Sequence, residues 1–415
     1  MTCPRCHESS DFIDYRDSGL HTLLGTGRQD RVYYHCEHCH TGWFPTDGEL
    51  GIEHKQTPGC REVVSLTGTV EPFEEAAQML LHKLTGLNMS ASTVRVTTER
   101  VGSDVTERRA AGEVLGPKTP WEWHRDVNGK RVAYTSLDAT AVLQQGPHAE
   151  KADSRMPYVG SVFNPTPMHK RKRSLVRETG SEACSDSLTH ELSPEKSRDP
   201  RTRASHRVWP TRYVCGLMSL EEIGRQLRAE CAAVGIANAD VVLVLTDAGN
   251  GLDTCLVETV LSGLAREVVL ILDFFHAAEH LREFAKTWCD TCTRDGQLDY
   301  WCHLLKHEGG TALLTELESL DLTGRSEAQL EAHRLLTNYV RNNQDRMDYP
   351  TYIANGWEIG SGEIESACKH VINHRLGGAG MRWRSPGTTT VCQLRALYRS
   401  EFAVWQNYWN RTAST

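Results

Sequence analysis

Apolar residues between positions 130 and 290 follow two different patterns along the chain. Short continuous apolar runs of five to seven residues predict buried strands, and these runs lie at 132–138, 158–163, 213–217, 241–247 and 268–273. Apolar residues spaced three and four apart predict helices at 220–233, 252–264 and 276–288. The predicted order is therefore three strands, then a helix, and then strands and helices in alternation.

That order matches an RNase H-like domain, an α/β fold in which a mixed sheet is flanked by helices. We assign this catalytic core to residues 111–288, within which a Ser-, Pro- and Arg-rich stretch at 166–206 is predicted to be a mobile loop. A largely helical insertion is predicted at 289–355. The closing helix of the core and a basic C-terminal segment then occupy 356–415.

Four cysteines stand in two Cys-x-x-Cys pairs near the N-terminus: Cys3, Cys6, Cys36 and Cys39. Each pair can form a tight knuckle, and two knuckles supply the four thiolates of a tetrahedral zinc site. The sequence therefore predicts one structural Zn²⁺ in a zinc-ribbon region at 1–70. Because the 29-residue spacer is long for a ribbon, nearby histidines are alternative ligands. These histidines are His7, His38 and His40, and redox-active thiols are the alternative to a metal site.

The remaining cysteines point to a reducing compartment. The chain has fourteen cysteines, most of them scattered through apolar segments, and its N-terminus lacks the apolar core of a signal peptide. No apolar run approaches the ~18 residues of a membrane span. We therefore expect a soluble, cytoplasmic protein. Cys289, Cys292 and Cys302 could hold a second zinc, although structural thiols are the favoured interpretation of these three.

Residues 71–110 are predicted to form a helix-turn-helix-like module. Gly86 permits a tight turn after a first helix with an apolar stripe, and Ser90 or Ser92 can cap a second helix. Such an arrangement can present a helix to a DNA groove, although many helical hairpins bind nothing. The candidate contact residues on the second helix are Arg95 and Arg100.

Three acidic residues stand at positions suited to metal binding. Asp138 and Asp247 each close a predicted strand, and in an RNase H-like sheet those two strands are neighbours. A later helix can bring Glu365 to them, whereas Glu363 lies about 200° away around that helix. Because clustered carboxylates are costly to bury without a cation, the three acids predict a site for two Mg²⁺ (or Mn²⁺) ions about 3.5–4 Å apart.

The formal charge of −8 conceals a basic C-terminal segment. Residues 367–415 contain seven Lys or Arg residues and one acid, a net charge of +6. Local basic patches govern phosphate binding better than the total charge does, so double-stranded DNA is the expected partner. Ordinary solvated surface is the alternative. The candidate phosphate contacts are Lys369, Arg375, Arg382 and Arg384, together with a second cluster at Lys170, Arg171, Lys172 and Arg173.

Several motifs in the chain resemble those of bacterial insertion-sequence transposases of the DDE class. They are 138–140 (DAT), 273–281 (DFFHAAEHL), 359–369 (IGSGEIESACK) and 375–383 (RLGGAGMRW). The chain is similar to the Kra-type branch of that class and distantly similar to Mutator-like elements. The resemblance covers nearly the whole chain, including the N-terminal cysteine pairs, and the C-terminal motif is its most specific part.

This resemblance implies an RNase H-like catalytic domain that uses divalent metal to cut DNA at element ends and join it to target DNA. By motif, Asp138 is the first acid and Glu365 the third. We choose Asp247 as the second acid and give Asp273 and His276 a supporting role, with Asp273 as the alternative second acid. A homodimer or higher oligomer assembled on DNA is expected, and the resemblance implies association with the bacterial nucleoid.

Two other functions are compatible with the same sequence. One is a structure-specific nuclease of the same fold, which hydrolyses DNA without joining it. The other is a transposase-derived DNA-binding regulator that lacks catalysis. The presence of all three acids counts against the regulator, and strand-transfer products would separate a transposase from a nuclease.

Overall fold

The architecture is given by a computed structural model that describes residues 1–164, 210–247, 249, 251–360 and 362–412. The predicted loop at 166–206 lies outside the described residues. So does the basic cluster Lys170, Arg171, Lys172 and Arg173. Within the described ranges, no helix has the length and apolar composition that crossing a membrane requires.

The described residues form eleven strands, which belong to three sheets. The strands are β1 (Asp11–Thr22), β2 (Gly25–Cys36), β3 (Thr41–Trp43), β4 (His124–Arg125), β5 (Arg131–Ala139), β6 (Val142–Gln145), β7 (Lys151–Arg155), β8 (Tyr158–Phe163), β9 (Thr211–Gly216), β10 (Val241–Thr246) and β11 (Val268–Leu272). The first three make an antiparallel N-terminal sheet, and β6 and β7 make a hairpin. All five predicted strands are present, within two residues of their predicted ends.

A six-stranded mixed sheet forms the centre of the protein. Its order is β11-β10-β5-β8-β9, with the short β4 also paired to β5. The strands β5, β10 and β11 run parallel, whereas β8 and β9 add antiparallel pairs. The predicted α/β class, with a mixed sheet, is confirmed.

The helices precede, cover and follow this sheet. They are α1 (Pro45–Glu49), α2 (Pro58–Val70), α3 (Phe73–Glu75), α4 (Ala91–Ala110), α5 (Leu220–Ala233), α6 (Leu252–Thr254), α7 (Phe274–Trp288), α8 (Arg294–Glu318), α9 (Glu327–Asn343), α10 (Tyr349–Ala354), α11 (Gly362–Ala367), α12 (His374–Leu376), α13 (Ser385–Arg399) and α14 (Phe402–Thr412). Three π-helical stretches extend or join them, at Ala76–Thr85, Cys255–Leu261 and Cys368–Asn373. Short 3₁₀ turns lie at Pro147–Ala149, Ile236–Asn238 and Gln344–Arg346.

Alternation along the central strands gives the sheet two apolar faces. On β10, Val241, Leu243 and Leu245 pack into the core formed with α7 to α10. Val242 and Val244 point the other way, into the core formed with α5 and the stretch Cys255–Leu261. Because successive side chains of a strand point to opposite faces, one strand serves both cores.

The N-terminal region contains two elements that sequence patterns did not predict. One is the long hairpin β1–β2, whose residues are mostly exposed. The other is α2, which packs on the stretch Ala76–Thr85 and on α4 through a small core that includes Val64, Leu81 and Val94. The predicted turn at Gly86 has a left-handed backbone (φ 74°), which glycine adopts without strain.

The second predicted helix of the 71–110 region is α4. Ser90 caps it, because its side chain accepts a hydrogen bond from the Thr93 backbone N–H. Its C-terminal half shares an apolar core with α13 and α14, to which Val105, Leu397 and Trp405 belong. The N-terminal helices and the C-terminal segment are therefore packed as one body.

Candidate functional site

Asp138 and Asp247 lie at corresponding positions on adjacent strands. Parallel pairing of β5 with β10 sets Ser136 beside Leu245, and two residues further along, the same register leads to Asp138 and Asp247. A step of two residues keeps a side chain on the same sheet face, so both acids are on the face that packs against α7. Both are half-buried.

Asp273 reaches the same edge of the sheet from β11. Its backbone N–H donates to the carbonyl of Thr246 at 2.9 Å. Its side chain caps α7 by accepting from the Phe275 N–H at 2.7 Å, and only 2% of the residue is exposed. A buried capping carboxylate orders the start of α7, and its charge is favourable there.

Glu365 belongs to α11 and is exposed at the mouth of the same cleft. Its neighbour Glu363 is half-buried and does not line that cleft. Burial raises the pKa of Glu363, and its charge acts on Tyr213 and Glu358 instead. The two glutamates therefore face different surroundings, as the helical spacing predicts.

The predicted acids meet at a cleft of about 170 Å³ between the sheet edge, α7 and α11. Its lining includes four carboxylates and one imidazole of the predicted site. The lining residues are Leu137, Asp138, Thr246, Asp247, Asp273, His276, Glu279, Ile364 and Glu365. Glu279 is a lining residue that sequence reasoning missed, although it lies one turn after His276 on α7 and the i, i+3 spacing is a signal for it.

The environment of Asp138 disfavours its ionised form. Burial raises the pKa of Asp138, and the charge of Asp247 adds to that effect. Two hydrogen bonds to the carboxylate lower the pKa of Asp138 and so oppose these effects. The Ala139 N–H donates to Oδ1 at 2.7 Å, and the Cys368 thiol donates to Oδ2 at 3.3 Å. Burial in turn raises the pKa of Cys368, so this thiol remains protonated and acts as a donor. Cys368 was not predicted as a site residue, since nothing in its spacing relates it to Asp138.

The chemistry of these donors suits a hard cation. Carboxylate oxygens are the ligands that Mg²⁺ prefers, and their mutual repulsion is reduced when a cation lies between them. In the described residues, however, no three ligand atoms of this cleft lie within 4.8 Å of one another. Binding of a cation would therefore draw the carboxylates closer together than they stand.

The four N-terminal cysteines do meet that spacing. Cys3, Cys6, Cys36 and Cys39 bring their Sγ atoms within 4.8 Å of one another, and they are the sole such group of three or more ligands in the described part of the chain. Two of the Sγ–Sγ distances are 3.5 Å. Four sulfurs at about 2.3 Å from one zinc ion are separated by about 3.8 Å, so the cluster fits a zinc ion.

Local backbone geometry explains this arrangement. The residue that follows each cysteine pair has a left-handed backbone, at His7 (φ 62°) and His40 (φ 53°), which turns the chain sharply after each knuckle. Those histidines therefore close the turns, and the four ligand atoms are all thiols. Cys289, Cys292 and Cys302, the alternative zinc ligands, are not brought into such a group among the described residues.

The predicted DNA contacts of two distant segments line one large groove. It has a volume of about 860 Å³ and runs between α4 and the chain that precedes α13. Arg95, Arg382 and Arg384 contribute to its wall, and Glu99 pairs with Arg95 at 3.3 Å. Backbone hydrogen bonds between Trp383 and the β6 strand hold this wall in place.

The basic residues of the C-terminal segment have two different environments. Arg375 is 2% exposed, and its guanidinium packs against the rings of both Phe73 and Trp383, with its Nε donating to the Gly68 carbonyl at 3.1 Å. Burial lowers the pKa of Arg375 to about 10, so it still carries its charge at neutral pH. Arg395 is fully buried and donates to the carbonyls of three residues. These two arginines therefore hold the fold together rather than forming exposed surface.

The remaining predicted contacts are accessible to different degrees. Lys369 is exposed, whereas Arg100 is half-buried on α4.

Comparison of the chain with protein-family models and with curated proteins finds no match.

Proposed function

We propose that this protein is a DDE-class DNA transposase, which cleaves phosphodiesters at the ends of a mobile element and joins the freed 3′-hydroxyl to target DNA. The observation that carries the proposal is that Asp138, Asp247 and Glu365 line one cleft although they are far apart in sequence. Local sequence alone, two motifs and one strand end, points to the same three acids.

The strand order also supports an RNase H-like interpretation of the core. Of the five strands that the sequence predicted, the first, β5, lies between the second, β8, and the fourth, β10. This order brings the ends of β5 and β10 together, so each strand contributes one acid to the same edge. A third acid from a helix that follows an insertion completes the arrangement.

The residues of the cleft have defined tasks in this proposal. Divalent metal held by Asp138, Asp247 and Glu365 would supply charge stabilisation at a phosphodiester and lower the pKa of an attacking water or hydroxyl. Asp273 orders the start of α7 through its cap. His276, about one turn along α7 from Asp273, lines the cleft and is suited to orient the site or to contact the scissile phosphate.

The rest of the chain supports a DNA substrate. The groove contains Arg95, Arg382 and Arg384 against a single acid, Glu99, which pairs with Arg95, so its net charge is positive. Such contacts bind the phosphate backbone without reading its sequence. The zinc-binding cluster and the helical hairpin, at the opposite end of the chain from Arg382, are proposed to recognise element ends.

The experiment uses full-length protein and a plasmid that carries the inverted repeats found by sequencing the DNA on either side of the gene. With Mg²⁺ or Mn²⁺, we expect nicks at the repeat ends and covalent joining of those 3′-ends to target DNA. Asp138→Asn protein is the matched control, because it removes one metal-ligand charge at nearly constant volume.

Each other outcome identifies a different protein. Cleavage without joined products would indicate the nuclease, and specific binding without metal-dependent cleavage would indicate the regulator. Equal cleavage by the wild type and by Asp138→Asn would rule out the acidic cleft as the active site.

A further inference from the structure

Two histidines on α7 form a pair beside the acidic cleft. His276 and His280 are four residues apart, so they lie on the same face of the helix. Their Nε2 atoms are 3.3 Å apart, and the two rings stand nearly perpendicular, at 89°. Sequence reasoning used His276 alone and left His280 without a role.

The distance between the two nitrogens matches that of two ligands on one metal ion. Imidazole nitrogens bind zinc at about 2.05 Å, and two such ligands with a tetrahedral angle between them are separated by about 3.3 Å. A single ion can therefore be bound by both rings without a change in their separation. We propose that His276 and His280 form a binding site for a transition-metal ion of the Zn²⁺, Ni²⁺ or Co²⁺ class.

Nearby groups supply what two imidazoles lack. Glu279 lies between the pair in sequence, its side chain is 68% exposed, and its Oε2 is 4.0 Å from the Nδ1 of His276. Because Nδ1 is the ring nitrogen that faces away from the proposed ion, this carboxylate is suited to accept its N–H and so to orient the imidazole for binding through Nε2. The aromatic ring of Tyr339 stacks on His280 with centroids 4.1 Å apart and holds that ring in position.

The surrounding charges favour a cation here. His276 and Glu279 also line the cleft that contains Asp138, Asp247, Asp273 and Glu365. On the outer side, Lys286 is paired with Glu283 at 2.6 Å, so its charge is largely compensated. Arg282 is the remaining cation at this rim.

This site differs in chemistry from both other candidate metal sites. Imidazole ligands suit Zn²⁺, Ni²⁺ and Co²⁺, whereas carboxylate oxygens suit Mg²⁺. The cysteine cluster is a closed set of four thiols at the other end of the chain. The inference goes beyond the proposed function and does not depend on it.

The test measures Ni²⁺ binding to the full-length protein, with its own zinc retained and a large excess of Mg²⁺ present to occupy oxygen sites. Calorimetry is expected to find one additional Ni²⁺ per chain in the wild type. His280→Phe should abolish that binding, because phenylalanine keeps the ring on Tyr339 but has no ligand nitrogen. Its zinc content and its thermal unfolding should equal those of the wild type.

A second histidine pair provides the matched control. His303 and His307 are also four residues apart, on α8, with ring centroids 4.4 Å apart. His303→Phe should retain the additional Ni²⁺. The proposal is overturned if the wild type binds no Ni²⁺ beyond its zinc, if His280→Phe binds it as well as the wild type does, or if His303→Phe alone loses it.

Discussion

The carboxyl groups of Asp138 and Asp247 lie at the same level of two parallel neighbouring strands, although 109 positions separate them in the sequence. Burial raises the pKa of Asp138, and the charge of Asp247 adds to that rise. Two like charges at one sheet edge oppose each other until a proton or a cation intervenes. This relationship underlies the first prediction.

Asp138→Asn and Asp247→Asn should each abolish metal-dependent DNA cleavage while the fold and DNA binding are preserved. Each substitution removes one ligand charge without changing the volume of the side chain. Asp273→Asn should slow cleavage but leave some turnover, because asparagine also caps helices well and keeps α7 in place. Single-turnover cleavage rates of the three variants and the wild type measure these losses. Full activity in Asp247→Asn beside an inactive Asp273→Asn would reverse our choice of second acid.

Glu365→Gln should abolish cleavage, whereas Glu363→Gln should retain most of it. The two positions are matched by helix, by residue type and by substitution, and they differ in that Glu365 lines the cleft. The cleavage rates of the two variants, compared at saturating Mg²⁺, give the measurement. Equal loss in both variants would mean that α11 tolerates no change, and a loss confined to Glu363→Gln would assign that residue to the metals.

Cys36→Ser should release zinc and unfold the N-terminal sheet locally, because metal binding supplies much of the folding free energy of such a small module. Cys36 is fully buried within the four-thiol cluster, whereas Cys292 is exposed outside it. Cys292→Ser is therefore the control and should keep its zinc. Metal analysis of protein purified without chelator, with limited proteolysis of residues 1–45, tests both variants. Wild-type protein without zinc would contradict the prediction.

Replacing Arg382 and Arg384 by alanine should weaken DNA binding about equally for all sequences. Loss of two phosphate contacts should also reduce the slope of log affinity against log salt by roughly 2. Arg334→Ala is the control, because that arginine is exposed on α9 and pairs with Glu331 outside the groove. Fluorescence anisotropy over a salt series provides the slopes. An unchanged affinity for DNA at every salt concentration would show that the groove is ordinary solvent-exposed surface and not a DNA-binding site.

Glu358→Gln should stabilise the protein at pH 8 but not at pH 4. Burial raises the pKa of Glu358 to about 7, and the charge of Glu363 adds to the shift. Below its unfolded-state pKa the carboxyl is protonated in both states and carries no penalty. Between that value and about 7 the unfolded chain ionises while the folded protein keeps the carboxyl protonated, so stability falls over this window by roughly 3 kcal/mol and is constant above it.

Thermal or denaturant unfolding of the wild type and Glu358→Gln at several pH values gives that difference directly. Glu258→Gln, at an exposed position of the stretch Cys255–Leu261, is the control substitution. A stability difference for Glu358→Gln that is constant from pH 4 to pH 8 would contradict the assignment, because it could not arise from titration of this carboxyl.

Local patterns in the sequence were sufficient for the central strands, most of the helices and the cysteine cluster. Runs such as 241–247 are apolar on both faces because both faces of the sheet are covered, and that requirement is visible in the residues themselves. The turn at Gly86 and the cap at Ser90 depend on single residues with a marked backbone or hydrogen-bonding preference. The cysteine cluster is likewise local in origin, because the Cys-x-x-Cys spacing places both thiols of a pair on one tight turn.

The hairpin β1–β2 was not predictable in the same way. Its residues are mostly exposed on both sides, so no alternation of apolar and polar positions distinguishes the strands, and backbone pairing holds them together. The burial of Arg375 and Arg395 was not predictable from the sequence either. Both look like surface charges in the sequence, yet each is buried by helices from the other end of the chain.

The tertiary structure decided how closely the predicted acids approach one another and which other side chains join them. The sequence identified Asp138, Asp247 and Glu365 as acids at the ends of elements, but strand order and register brought their carboxyls to one cleft. The thiol of Cys368 against Asp138 and the pairing of His276 with His280 rest on the same kind of information. Propensity and periodicity act over a few residues, whereas these contacts depend on how distant segments pack, which is determined by the burial of the whole core.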